Sequence, residues 1–167
     1  MIEQTKTEDY PEIEKITNLV LGSHDPENIE IKVHIRVNGK IIGFGTAGAA
    51  KSKMIQTISD VLFDEIGDLS VWKIGCLSRV AVLPEHRGNG YASILVEERI
   101  KRLKELGYNQ VVASAWRSPK GVHVAGILNR HGFKKLVEVD NYWKDMYCVS
   151  CEGLCRCQAV FFHRSLL

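Results

Sequence analysis

Val80-Ala81-Val82-Leu83-Pro84-Glu85-His86-Arg87-Gly88-Asn89-Gly90-Tyr91-Ala92 carries the chain from an apolar run, through a short glycine-rich turn, into the start of a helical pattern. The run before it, Val71 to Leu83, holds Ile74, Cys76, Leu77, Val80, Ala81 and Val82. It becomes apolar on both faces toward its end, which predicts a strand in the middle of a sheet. After the turn, Ala92, Leu95, Val96, Ile100, Leu103 and Leu106 recur at helical spacing up to Gly107. Glu97/Lys101 and Glu98/Arg102 give that helix i,i+4 pairs on its solvent side. A strand that turns straight into a helix presents amides with no internal partner at the positive end of the helix dipole, where an anion such as a pyrophosphate can settle. Gly90 would admit the anion close to the backbone, Ala92 keeps the next approach point small, and Arg87 can add a charge-assisted bond. The plainer reading is that the glycines only permit a tight turn. The spacing fits neither the phosphate loop ending in Gly-Lys-Ser/Thr nor the G-x-G-x-x-G dinucleotide fingerprint.

Toward the N-terminus, Glu8, Asp9 and Pro11 followed by Ile13, Ile16, Leu19 and Val20 predict a helix that stops at Gly22. Ile29, Ile31, Val33, Ile35 and Val37 alternate with Glu30, Lys32, His34 and Arg36, the period of a strand with one buried face. Asn38-Gly39 then predicts a type I′ turn into a second strand with Ile41, Ile42 and Phe44. Met54, Ile55, Ile58, Val61, Leu62 and Ile66 return to helical spacing across residues 52–66. Toward the C-terminus, Val111 to Trp116 reads as a strand, and Ser118-Pro119 as the N-cap and first residue of a helix ending before Gly132. Leu136 to Tyr142 and Ala159 to Phe162 read as two last strands. The order predicts an α/β (α+β) architecture: one domain spanning residues 1–167, a mixed, mostly antiparallel sheet flanked by helices.

Composition narrows the function classes. With 22 Lys+Arg against 20 Asp+Glu the formal charge is +2, and no basic stripe is present, so nucleic acid is not an expected partner. A chain of 167 residues buries roughly 70% of its unfolded surface on folding and needs no disulfide staples. No apolar run approaches the ~20 residues of a membrane-spanning helix. The opening MIEQTKTEDY is polar and acidic where a secretory leader is basic and then apolar. The expectation is a cytoplasmic protein with no membrane partner.

Arg87-x-x-Gly90-x-Ala92, preceded by Val80-Ala81-Val82-x-Pro84, resembles the acetyl-CoA signature of the GNAT superfamily of N-acetyltransferases, (Gln/Arg)-x-x-Gly-x-(Gly/Ala). His131-Gly132-Phe133 resembles the Gly-Phe after that family's last helix, and the order of strands and helices is similar from about Ile2 to Arg164. The resemblance implies acetyl-CoA as co-substrate in a cleft between two splayed parallel strands, here ending near Val82 and Trp116. Its pantetheine would pair with the backbone of Val80, Ala81 and Val82. Its pyrophosphate would sit on the amides of Arg87, Gly88, Asn89, Gly90, Tyr91 and Ala92. A primary amine of a small molecule or protein would attack the thioester directly in a ternary complex, with a backbone N–H near residues 80–82 stabilising the oxyanion. The alternative is a catalytically degenerate module that binds acetyl-CoA or a protein partner. Monomer and homodimer stay open.

Acid–base residues are harder to place, because the amine must be unprotonated to attack and the leaving thiolate can use an acid. Where the family carries a Glu or His base, this chain has Cys76 and Ser78; where it often carries a Tyr acid, four residues before Gly132, it has Leu128. Asn129 and His131 would point to other helix faces. Substitutes are Tyr142, Tyr147, His123 and Glu65, each with a structural or surface role as the simpler reading.

Cys148-x2-Cys151-x3-Cys155-x-Cys157 forms a Cys-rich hairpin segment between the last two strands. Soft thiolates at C-x-x-C and C-x-C spacing suit tetrahedral Zn²⁺, and Gly153 permits a tight wrap; a redox or disulfide arrangement and plain reduced thiols are the other readings. In GNAT-like folds this loop borders the acceptor site, so a metal here would fix a pocket wall near Tyr142, Trp143 and Tyr147. The helix over residues 52–66 would flank the same side.

Overall fold

Ile31, Val33 and Ile35 lie buried on one strand and meet the next through Asn38 and Gly39, whose φ angles of 49° and 78° are those of the type I′ turn that the dipeptide predicts. The computed structural model describes residues 1–22, 29–118, 121–122 and 124–167. Its strands are β1 (Ile2–Gln4), β2 (Ile31–Val37), β3 (Lys40–Ala49), β4 (Ile74–Val82), β5 (Gln110–Ser118), β6 (Gly121–Val122), β7 (Lys134–Val139), β8 (Tyr147–Cys148), β9 (Gly153–Leu154) and β10 (Gln158–Ser165). The main sheet has the order β1-β2-β3-β4-β5-β10-β7, with β6 added to the end of β5. All its neighbours are antiparallel except β4 and β5, which run parallel. β8 and β9 form a separate two-stranded hairpin.

The helices are α1 (Tyr10–Val20), α2 (Ser52–Ile66), α3 (Tyr91–Glu105) and α4 (Ala125–Arg130). Leu95, Val96, Ile100 and Leu103 of α3 and Leu128 of α4 pack with Val33, Leu77, Val82 and Val111 on one face of the sheet. On the other, α2 sets Met54, Ile58 and Leu62 against Cys76, Val112 and Phe161, while Ile16 of α1 meets Ile41, Phe44 and Ala81. The result is the α/β single domain with a mostly antiparallel sheet that the element order predicts.

Several boundaries differ from the sequence reading. The helix expected from Ser118-Pro119 begins only at Ala125, because β5 runs on to Ser118, buried, where β6 pairs back onto it, Arg117 with Val122 and Ser118 with Gly121; Pro119 lies outside the described residues. The strand expected over Leu136 to Tyr142 spans Lys134–Val139; Asn141, at φ 55°, turns the chain before Tyr142. The run from Val71 becomes a strand only at Ile74, after a 3₁₀ turn over Leu69–Val71 with Asp68 as its cap. β1 was not expected, since a three-residue strand is too short to show a period.

Candidate functional site

β4 and β5 pair only from Ile74/Gln110 to Leu77/Ala113. Beyond that point the strands continue apart, β4 still held by β3 and β5 still held by β10, so their facing edges form a wedge open to a third chain. The cause is a β-bulge. Ala47 of β3 opposes Leu77 while Gly45 opposes Val80, so Thr46 faces both Ser78 and Arg79. The inserted residue shifts the alternation by one: Val80 and Val82 join Leu77 on the α3 face, and Ala81 falls on the α1 side.

The bulge is secured from beneath. Arg99 of α3 is 1% exposed, and its Nη1 donates to the carbonyls of Thr46 and Arg79, both at 2.9 Å, while its Nε donates to Leu95 O. Burial lowers its pKa to about 10, so the guanidinium stays charged at neutral pH. Gly45 gives it room, since a Cβ there would lie 2.7 Å from Arg99 Nε. The Arg79 N–H donates to Thr46 Oγ1 at 3.1 Å. Little in the local sequence marks Arg99 for this role. Its one sign is a charged residue placed on the apolar stripe of Leu95, Val96, Ile100 and Leu103.

β4 leaves the wedge through a 3₁₀ turn over Pro84–His86 and enters α3 at Tyr91. Gly90 occupies the N-cap position at φ 79°, a left-handed conformation that a side chain resists, and among the described residues no side chain caps the first amides of α3. Asn89 Nδ2 donates to the carbonyls of His86 and Arg87 at 3.1 and 3.2 Å, which closes the turn on itself. Arg87 Nε donates to Val82 O at 3.1 Å and so lies against the end of the β4 edge. An uncapped helix start that follows an open strand edge suits a long ligand with an amide-bearing arm and an anionic head.

A family model described as the acetyltransferase (GNAT) family matches residues 1–133. The chain belongs to this family. The GNAT fold is equally plain among solved structures: a GNAT acetyltransferase from Elizabethkingia anophelis with acetyl-CoA bound has a TM-score of 0.70 at 15% identity, covering 99% of this chain and 97% of that one. A ribosomal-protein-alanine N-acetyltransferase from Brucella melitensis scores 0.70 at 13% identity, with 99% of each chain covered. The polyamine N-acetyltransferase of Drosophila melanogaster scores 0.66 at 14%, again with 99% of each. No curated protein matches the sequence significantly.

Within this GNAT chain the sequence-derived acid–base candidates scatter. Cys76 is 3% exposed, its Sγ 3.6 Å from Met54 Sδ, and burial pushes the thiol up to about 11, so at neutral pH it is a protonated core residue. Ser78 is exposed on the bulge at the vertex of the wedge. Tyr142 packs edge-on against Phe161 and Trp143, and burial pushes its hydroxyl up to about 12. Tyr147 stands exposed on β8. Glu65 pairs with Lys134 at 3.0 Å, at the sheet end away from the wedge, and His123 lies outside the described residues. Leu128 is buried in the core. His131 does reach the cleft region: its Nε2 is 2.7 Å from Ser93 Oγ in the first turn of α3.

On the α2 side of the vertex stand two cations that sequence reading did not single out. Burial, and next the charge of Arg79, lower the pKa of Lys51. Further along, Trp116 of splayed β5 meets Trp143 edge-on at 6.2 Å, and Trp143 packs on Cys148, Cys155 and Cys157.

Proposed function

We propose that this protein transfers an acetyl group from acetyl-CoA to a primary amine. The observation that carries the reading is the wedge itself: a bulged β4 edge, unpaired toward β5, leading through the 3₁₀ turn and Gly90 into the start of α3. In this reading the pantetheine arm pairs with Val80, Ala81 and Val82, and the pyrophosphate lies on the amides of Arg87, Gly88, Asn89, Gly90, Tyr91 and Ala92. The thioester then rests at the vertex beside Ser78. The amine nitrogen attacks the thioester carbon, a backbone N–H of residues 80–82 holds the oxyanion, and the C–S bond breaks to release the CoA thiol. The amine's proton departs through solvent at exposed Ser78, since Cys76 is neutral and buried. Tyr142 and Tyr147 remain the candidates for returning a proton to the thiolate.

The acceptor in this reading is a primary amine of a small molecule or of a protein. A Zn²⁺ held by the four thiols would be structural, because four protein ligands leave no open coordination position. The setting proposed for this chemistry is the cytoplasm; among the described residues no helix is long and apolar enough to cross a membrane. The test is release of CoA thiol across a panel of amines, alongside stabilisation of the protein by acetyl-CoA. Release with any of these amines supports the reading. Binding without release identifies a binding module instead, and failure to bind overturns both.

A further inference from the structure

The segment from Asp140 to Cys157 links β7 to β10 with little structure of its own: β8 and β9 are two residues each. Hairpins that short do not hold themselves in water. Yet Cys148, Cys155 and Cys157 at its centre are 2%, 4% and 0% exposed. The four Sγ atoms, Cys151 included, lie within 4.8 Å of one another, with Cys148 to Cys157 at 3.7 Å and Cys151 to Cys157 at 3.6 Å. A zinc ion about 2.3 Å from each of four sulfurs sets neighbouring sulfurs about 3.8 Å apart. Two backbone amides also point at sulfur: Arg156 N–H donates to Cys151 Sγ at 3.3 Å and Cys157 N–H to Cys155 Sγ at 3.4 Å. Such bonds are the outer shell that orients thiolates around a metal.

The cluster is joined to both sides of the wedge. Trp143 packs on its sulfurs and meets Trp116 of β5. Tyr142 follows α2, with Lys53 Nζ donating to its carbonyl at 3.1 Å and standing 4.6 Å over its ring. On the opposite flank Val149 and Tyr147 close over Gly22 at the end of α1, where a Cβ would lie 2.6 Å from Val149 Cγ2. The hairpin is thus a strap running from β5 to α1.

We propose that Cys148, Cys151, Cys155 and Cys157 bind one Zn²⁺ as a closed tetrathiolate site, and that the ion holds this strap as a wall of the acceptor pocket. The four thiols lose their protons to solvent as the ion binds, and no electron is transferred. The second half of the proposal rests on the acetyltransferase reading; the first half does not.

The tests separate the two. Elemental analysis of the purified, reduced protein should give one zinc per chain, and Co²⁺ exchanged into the site should show the absorption of tetrahedral cobalt thiolate. Cys151→Ser should lose the ion. Cys151→His, at the most accessible ligand, should retain it, and Cys76→Ser should leave the metal content unchanged. Iron in place of zinc, two disulfides in the intact mass, or reduced protein that takes up neither Zn²⁺ nor Co²⁺ would overturn the site. For the wall, removing zinc should speed hydrogen exchange across residues 141–157 and raise the acceptor KM about tenfold or more, with acetyl-CoA affinity within about twofold. Unchanged exchange and unchanged KM would overturn the wall while leaving the zinc site standing. Loss of acetyl-CoA binding in the zinc-loaded protein would instead count against the acetyltransferase reading.

Discussion

At the α3 end of the wedge the groups offered to a ligand are backbone amides, positioned by Gly90 at φ 79° and by a turn that Asn89 ties together. At the strap end they are side chains, four sulfurs and the indoles of Trp116 and Trp143. In the proposed reading the first arrangement would bind an anion without a formal charge of its own, so a chain of net charge +2 could present such a site. The second depends on atoms that each substitution removes outright. The difference teaches that tolerance to mutation should be uneven around one cleft: the turn should resist changes that preserve backbone shape, and the strap should not.

The sharpest way to break this contrast is Gly90→Asp. It sets a carboxylate beside the helix amides and forces a side chain into left-handed backbone, so acetyl-CoA affinity measured by calorimetry should fall by about 100-fold or more. Next comes Arg99→Met, which leaves the Thr46, Arg79 and Leu95 carbonyls without their buried donor. A loss of about 3 kcal/mol is expected, read as a melting point lower by roughly 6–12 °C, together with weaker acetyl-CoA binding as the bulge relaxes. Trp143→Ala should act on the other end alone, raising the acceptor KM about tenfold while acetyl-CoA affinity stays the same. The smallest effect belongs to Asn89→Ala. It removes two turn bonds and should cost about 1 kcal/mol, or about fivefold in acetyl-CoA affinity. If Trp143→Ala and Asn89→Ala moved the same parameter, the two ends would not be separable.

Much of this was readable in the chain. α2 spans Ser52–Ile66 as its spacing predicts, and the Asn38-Gly39 turn has the positive φ pair that its residues favour. The four cysteines announce a shared site because their spacing is local. Arg99, by contrast, reads as an ordinary helix residue until Gly45 and Thr46, more than fifty positions upstream, supply its cavity and acceptor. Ser118-Pro119 reads as a helix start until β6 pairs with Ser118 and keeps it in the sheet. The pairing of His131 with Ser93 likewise spans 38 positions and has no local sign.

The sequence alone determined most of the longer strands and helices, the glycine turn and the cysteine spacing, because these follow from periodicity, allowed φ angles and short-range geometry. Only the tertiary structure decided that β4 and β5 part after Leu77 and Ala113, that a buried arginine holds the bulge, and that the strap reaches Trp116. Those outcomes depend on how strands far apart in the chain set one another's register, and register is a property of pairs that no single stretch of sequence contains.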